Sequence, residues 1–138
     1  MKNYHFEIRK LKPEEYQSIR NTTNWPILDD HTVEKALKND LFSICVFDAD
    51  TPIGMGRIIG DGAIYFYIQD IIVHPDYRTM GIGKLIMEQV EVYLEDHARH
   101  NSFIGLMAAE GVEAFYENYG YSRRADDRPG MFKLFKKG

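Results

Sequence analysis

Seven consecutive residues, Arg78-Thr79-Met80-Gly81-Ile82-Gly83-Lys84, set two glycines two apart between cations, and the apolar residues that follow recur at helical spacing. The first N–H groups of a helix have no internal acceptor and carry the positive end of its dipole. A glycine-rich helix start is therefore a site for a phosphate-bearing ligand. Gly81 and Gly83 keep a Cβ out of the way of such a ligand. Two nucleotide loops fail on their own rules. A P-loop needs glycine at position 78 and a hydroxyl after the lysine, but Arg78 and Leu85 stand there. A dinucleotide G-x-G-x-x-G needs glycine at position 86, which is Ile86, and Gly54-Met55-Gly56 fails in the same way at Ile59.

The elements that must hold this loop can be read on both sides of it. Upstream, 64–73 is a long apolar and aromatic run that suits a buried strand, and His74-Pro75 ends it because proline cannot donate to a ladder. Downstream, Ile82, Leu85, Ile86, Val90, Tyr93, Leu94 and His97 form one helical stripe, with Glu88, Glu91 and Glu95 opposite. Strands are expected at 5–9, 41–47, 53–59, 103–107 and, after Pro129-Gly130, at 131–135. Turn chemistry at 48–52 and 60–62 joins three of them as an antiparallel meander. Helices are expected from Pro13, after the caps Asp29 and Asp30, and over 112–118. The order is β, α, α, β, β, β, α, β, α, β, an α+β class.

Bulk properties narrow the function. The chain has 138 residues, the size of one domain, 1–138. Its net charge of −4 argues against broad binding to nucleic acid or to an anionic membrane. One cysteine, Cys45, permits neither an internal disulfide nor a cysteine zinc cage, and no metal site is expected. The sequence from Met1 to Lys10 has no signal-like apolar run, and no stretch approaches the ~20 apolar residues of a membrane helix. A cytoplasmic protein is the expectation.

Other reactive residue types have plainer readings. His97 and His100 read as cations at a helix end, Cys45 as a small core residue, and Arg123, Arg124 and Arg128 as a solvated turn beside Asp126 and Asp127. Trp25, between the first two helices, is read either as a wall of an acceptor pocket or as a hydrophobic anchor.

The pattern Arg-x-x-Gly-x-Gly after a Val-His-Pro strand end resembles the acetyl-CoA motif of the GNAT superfamily of N-acetyltransferases. A second segment, Phe115-Tyr116-Glu117-Asn118-Tyr119-Gly120-Tyr121, resembles that family's Phe/Leu-Tyr-x-x-x-Gly-Phe signature. The resemblance covers nearly the whole chain. It implies a mixed, mostly antiparallel central sheet flanked by about four helices, with acetyl-CoA as cosubstrate. It implies that Arg78, Thr79, Met80, Gly81, Ile82, Gly83 and Lys84 bind the pyrophosphate through their backbone. It also implies that Ile71, Ile72 and Val73 pair with the pantetheine arm, an amide of Ile71 or Ile72 bonding the thioester oxygen.

By the same resemblance Tyr116 aligns with the proton donor to the departing thiolate. Asp70, beside Gln69 on the strand that faces the acetyl group, is the candidate base, with Glu110 and Glu113 as alternatives. A core tyrosine and a structural carboxylate are the plain readings of Tyr116 and Asp70. Many relatives carry an asparagine seven residues before the tyrosine, and Ala109 stands there instead. The acceptor is expected to be a primary amine, on a small molecule or a protein, and analogy implies a homodimer. The rival class is a non-catalytic acyl-CoA-binding regulatory module, which would keep the loop and lack a working acid and base.

Overall fold

The computed structural model describes residues 4–137; Met1, Lys2, Asn3 and Gly138 lie outside them. The chain divides into two compact units, Met1–Met107 and Ala108–Gly138. The first holds β1 (Tyr4–Ile8), α1 (Pro13–Arg20), α2 (Asp30–Leu37), β2 (Phe42–Asp48), β3 (Thr51–Gly60), β4 (Tyr65–Val73), a single 3-10 turn (Pro75–Tyr77), α3 (Ile82–His97) and β5 (Phe103–Leu106). With α4 (Glu113–Glu117) of the second unit, the described residues hold a five-stranded sheet and four helices.

The sheet runs β1-β2-β3-β4-β5. The first four strands pair antiparallel; short turns join β2 to β3 and β3 to β4, whereas α1 and α2 lie between β1 and β2. The helical crossover through α3 then returns the chain so that β5 pairs parallel to β4.

Side chains alternate across a strand, and the two faces of the sheet are used differently. Cys45, Phe47, Met55 and Ile72 meet Tyr16 and Ile19 of α1 and Val33 and Leu37 of α2 in one core cluster. On the opposite face Gly54 and Gly56 admit α3. A Cβ on Gly56 would lie 2.7 Å from Ile71 Cδ1 and 2.8 Å from Ile86 Cγ2, and one on Gly54 would lie 3.0 Å from Ile82 Cγ2. The glycines that fail as a nucleotide motif thus let α3 lie close on β3.

The second unit departs from the sequence expectation. No strand forms over 131–135; the chain after α4 has no regular element through residue 137. The reason is legible in the pattern. Met131-Phe132 and Leu134-Phe135 are apolar pairs separated by Lys133, a period of three, whereas a half-buried strand needs a period of two.

Candidate functional site

Two features converge where β4 runs into α3. The first is an open strand edge. β5 pairs with Tyr65–Ile68 and stops at Leu106, so among the described residues no strand pairs with Gln69–Val73 on that edge. On the other edge the His74 N–H donates to the Ile53 carbonyl at 2.7 Å. An antiparallel ladder alternates, so the Ile72 amide, paired opposite Met55, also turns toward β3. The amides of Ile71 and Val73 then face the open edge. Of the two residues expected to offer an amide there, the ladder favours Ile71.

The second feature is an open helix start. The loop is braced from behind: Tyr77 Oη donates to Asp48 Oδ2 at 2.7 Å, its ring meets that of Tyr4 edge-on at 5.9 Å, and Tyr4 Oη donates to Met80 Sδ at 3.1 Å. Thr79 and Gly81 adopt left-handed backbone, φ 65° and 80°. For a β-branched residue such as Thr79 this conformation is a genuine outlier. Turns of this kind converge successive N–H groups into an anion-binding concavity. Gly81 is the N-cap of α3 and offers no side-chain cap. The first intrahelical bond runs from Leu85 N–H to the Gly81 carbonyl, which leaves the N–H groups of Ile82, Gly83 and Lys84 without a helical acceptor. No acidic residue stands in the first turn, Arg78 and Lys84 are exposed, and a Cβ on Gly81 would meet nothing within 4 Å. Donors, positive charge and free space fit a diphosphate.

Asp70 sits at the strand's irregularity. Arg57 faces Gln69 while Met55 faces Ile72, so Gly56 alone opposes both Asp70 and Ile71 in a β-bulge. Asp70 takes the left-handed position, φ 58°, and is 3% exposed. Tyr16 Oη and Arg57 Nη1 each donate to its Oδ2 at 2.7 Å, and Gln69 Nε2 donates to its Oδ1 at 3.2 Å.

Tyr116 lies on α4, half-buried, its ring edge-on to Phe115 at 5.2 Å. Burial raises its phenol above the ordinary value, which favours the protonated form of a donor. Tyr119 N–H bonds to its carbonyl, and Gly120, φ 92°, turns the chain just after the helix. Glu113 is paired with Arg123, and Glu110 is exposed.

The remaining reactive residues make local contacts. The His97 ring stacks on Tyr93 at 4.0 Å. Burial pushes the Cys45 thiol up to about 12, and it lies in the core cluster. The Arg20 guanidinium lies over the ring of Trp25 at 5.4 Å. Among the described residues no three His, Cys, Asp or Glu side chains gather as a metal site, and no helix is long and apolar enough to cross a membrane.

Comparison with known proteins identifies the family. A family model described as the acetyltransferase (GNAT) domain matches residues 10–130, and the chain belongs to that family. It is 31% identical over 120 residues to an uncharacterised N-acetyltransferase, ycf52-like, of Prochlorococcus marinus, covering 84% of this chain and 66% of that one. It is 30% identical over 83 residues to serotonin N-acetyltransferase 2, chloroplastic, of Oryza sativa, covering 60% and 40%. A probable acetyltransferase of unknown function from Staphylococcus aureus superposes with a TM-score of 0.90 at 29% identity, covering 96% of this chain and all of that one. The chain spans about two thirds of the length of the first curated relatives it matches.

Proposed function

We propose that the chain transfers an acetyl group from acetyl-CoA to a primary amine by direct attack on the thioester. The observation that supports this best is the continuity of the two open features: an unpaired edge of β4 over Gln69–Val73 leads into the uncapped, basic start of α3. When bound, acetyl-CoA supplies an acyl carbon activated by its thioester.

The chain's own residues do the rest. The backbone N–H groups of Ile82, Gly83 and Lys84 hold the pyrophosphate, with Arg78 and Lys84 adding charge. The open edge of Ile71–Val73 takes the pantetheine amides, and the Ile71 N–H stabilises the negative charge that grows on the thioester oxygen. One such donor is worth about 3 kcal/mol in comparable sites. The amine must arrive neutral, although its free pKa is about 10. As the C–N bond forms and the C–S bond breaks, Tyr116, assigned through its motif, gives a proton to the departing thiolate. The proton lost by the amine nitrogen restores the phenol, and its raised pKa keeps it protonated between turnovers.

Release of CoA thiol, followed with acetyl-CoA and a panel of polyamines, arylalkylamines, amino acids and lysine peptides, tests the reading. Turnover on at least one primary amine is expected, with Tyr116→Phe lowering kcat about tenfold or more while acetyl-CoA affinity holds. Tight acetyl-CoA binding without turnover on any amine would instead favour a binding module.

A further inference from the structure

Between α1 and the middle of the sheet lies a charged cluster that acetyl transfer, as described, leaves unused. Arg57 is 6% exposed in the middle of β3. Its guanidinium grips Asp40 through Nε at 3.0 Å and Nη2 at 2.7 Å, and reaches Asp70 through Nη1 at 2.7 Å. Ser43 donates to the same Asp40 carboxylate at 2.7 Å. From α1, Tyr16 donates to Asp70 and accepts from Arg20 Nη1 at 3.0 Å, while Arg20 itself stands 3.9 Å from Asp70 Oδ1. Two arginines thus face two aspartates. Burial opposes the Arg57 charge, and the bonds to Asp40 and Asp70 more than offset it. Tyr16 is pushed up to about 12 by burial and by Asp70, so it remains a donor. Tyr67 on β4 also feels the Asp70 charge.

A cluster of this kind is expensive to bury unless its members are held in place and fully bonded. Here it is anchored to a backbone irregularity. Asp70 is the left-handed residue of the bulge, and the next residue is Ile71, whose amide faces the open edge. A general base must come within hydrogen-bond reach of the proton it takes. The Asp70 side chain is 1% exposed, and three donors already occupy its oxygens.

We infer that Asp70 is a positioning residue: its carboxylate, fixed by Tyr16, Arg57 and Gln69, holds the left-handed bulge that turns the Ile71 amide toward the thioester, and it takes no proton from the amine. The inference rests on the acetyl-CoA reading above. Tyr16 and Arg57 act in the same way, one step further from the reacting atoms.

The test compares wild type, Asp70→Asn and Tyr16→Phe by calorimetric titration with acetyl-CoA and by kcat/KM as a function of pH. Wild type that fails to bind acetyl-CoA removes the underlying reading and is recognised before any variant is made. If wild type binds and turns over, both variants should lose kcat by about ten- to a hundredfold, as small misplacements at a reacting centre do. The loss should be the same factor at every pH, with the midpoint of the acid limb unmoved and acetyl-CoA affinity nearly kept. Loss of the acid limb in Asp70→Asn would make Asp70 the base and overturn the inference. Lowered melting temperature with unchanged kcat in both variants would make the cluster purely structural and overturn it too. Should Asp70→Asn not fold, Tyr16→Phe decides alone, since it removes one bond to the same oxygen and keeps the carboxylate: full kcat in that variant refutes the positioning role.

Discussion

Helices α2 and α3 begin in opposite ways. At α2 the N-cap Asp29 accepts from Thr32 N–H at 3.1 Å and from Thr32 Oγ1 at 2.6 Å, and Asp30 adds a second negative charge to the first turn. These bonds hold the Asp29 carboxyl below its ordinary range, the Thr32 hydroxyl contributing most. That helix start is satisfied from within the chain. At α3 the cap is Gly81, no side chain closes the turn, no acid stands in it, and Lys84 adds positive charge. Glycine brings no side-chain acceptor and lysine brings the wrong charge to a helix N-terminus, where capping side chains and acids satisfy the free N–H groups. α3, the longest helix among the described residues, is thus left open at its start. On the proposed function, the difference teaches that α3 leaves its capping to the bound pyrophosphate.

Turning one start into the other gives the largest expected effect. Gly81→Asp supplies α3 with an acid at a position whose surroundings are open, and the φ of 80° strains a residue with a Cβ there, least for Asn and Asp. The fold should persist by circular dichroism. Acetyl-CoA affinity should fall by at least about 100-fold, or about 2.7 kcal/mol, and retained affinity would break the comparison. Next, Gly56→Ala tests whether α3 must lie close on β3 to present its start. The added methyl meets Ile71 and Ile86 below 3.0 Å, and overpacking of this kind costs about 1–3 kcal/mol. Chemical denaturation should show the loss, and unchanged stability would mean that α3 can shift freely.

The smallest effect is expected at the closed start. Asp29→Ala should lower the melting temperature by a few degrees and leave acetyl-CoA affinity unchanged. Because the folded pKa of Asp29 is depressed, its contribution is present above the ordinary carboxylate range and fades as pH falls through the lowered value. The gap in melting temperature between variant and wild type should therefore close in acid, and a constant gap would remove the capping explanation.

Most of this arrangement was legible in the chain. Apolar runs bounded by turn residues, together with helical spacing and caps, marked every strand and α-helix of the first unit to within a few residues, though not the 3-10 turn at Pro75–Tyr77. The loop stood out because glycine spacing and helical periodicity are both local properties. What stayed hidden was not local. The bulge is a one-residue shift between β3 and β4, and nothing inside the run Tyr65–Val73 marks which residue is extra. The buried cluster left a fainter trace: Arg57 and Asp70 are lone charges in otherwise apolar strands, a combination that becomes affordable only when the two face each other. Asp70 could therefore be read from sequence as a candidate base, whereas its bonding pattern supports a fixed carboxylate. The strand expected over 131–135 rests on the Pro129-Gly130 turn before an apolar segment, and a turn signal without the matching period does not make a strand.

The account stands on the claim that backbone amides at the start of α3 and on the open edge of β4 hold acetyl-CoA. Backbone amide NMR shifts during titration with acetyl-CoA test this most directly. Large, saturable shifts are expected at Ile82, Gly83, Lys84 and Ile71, with the amides at the start of α2 unmoved. Saturable binding that leaves those four amides in place and shifts another region would contradict the account.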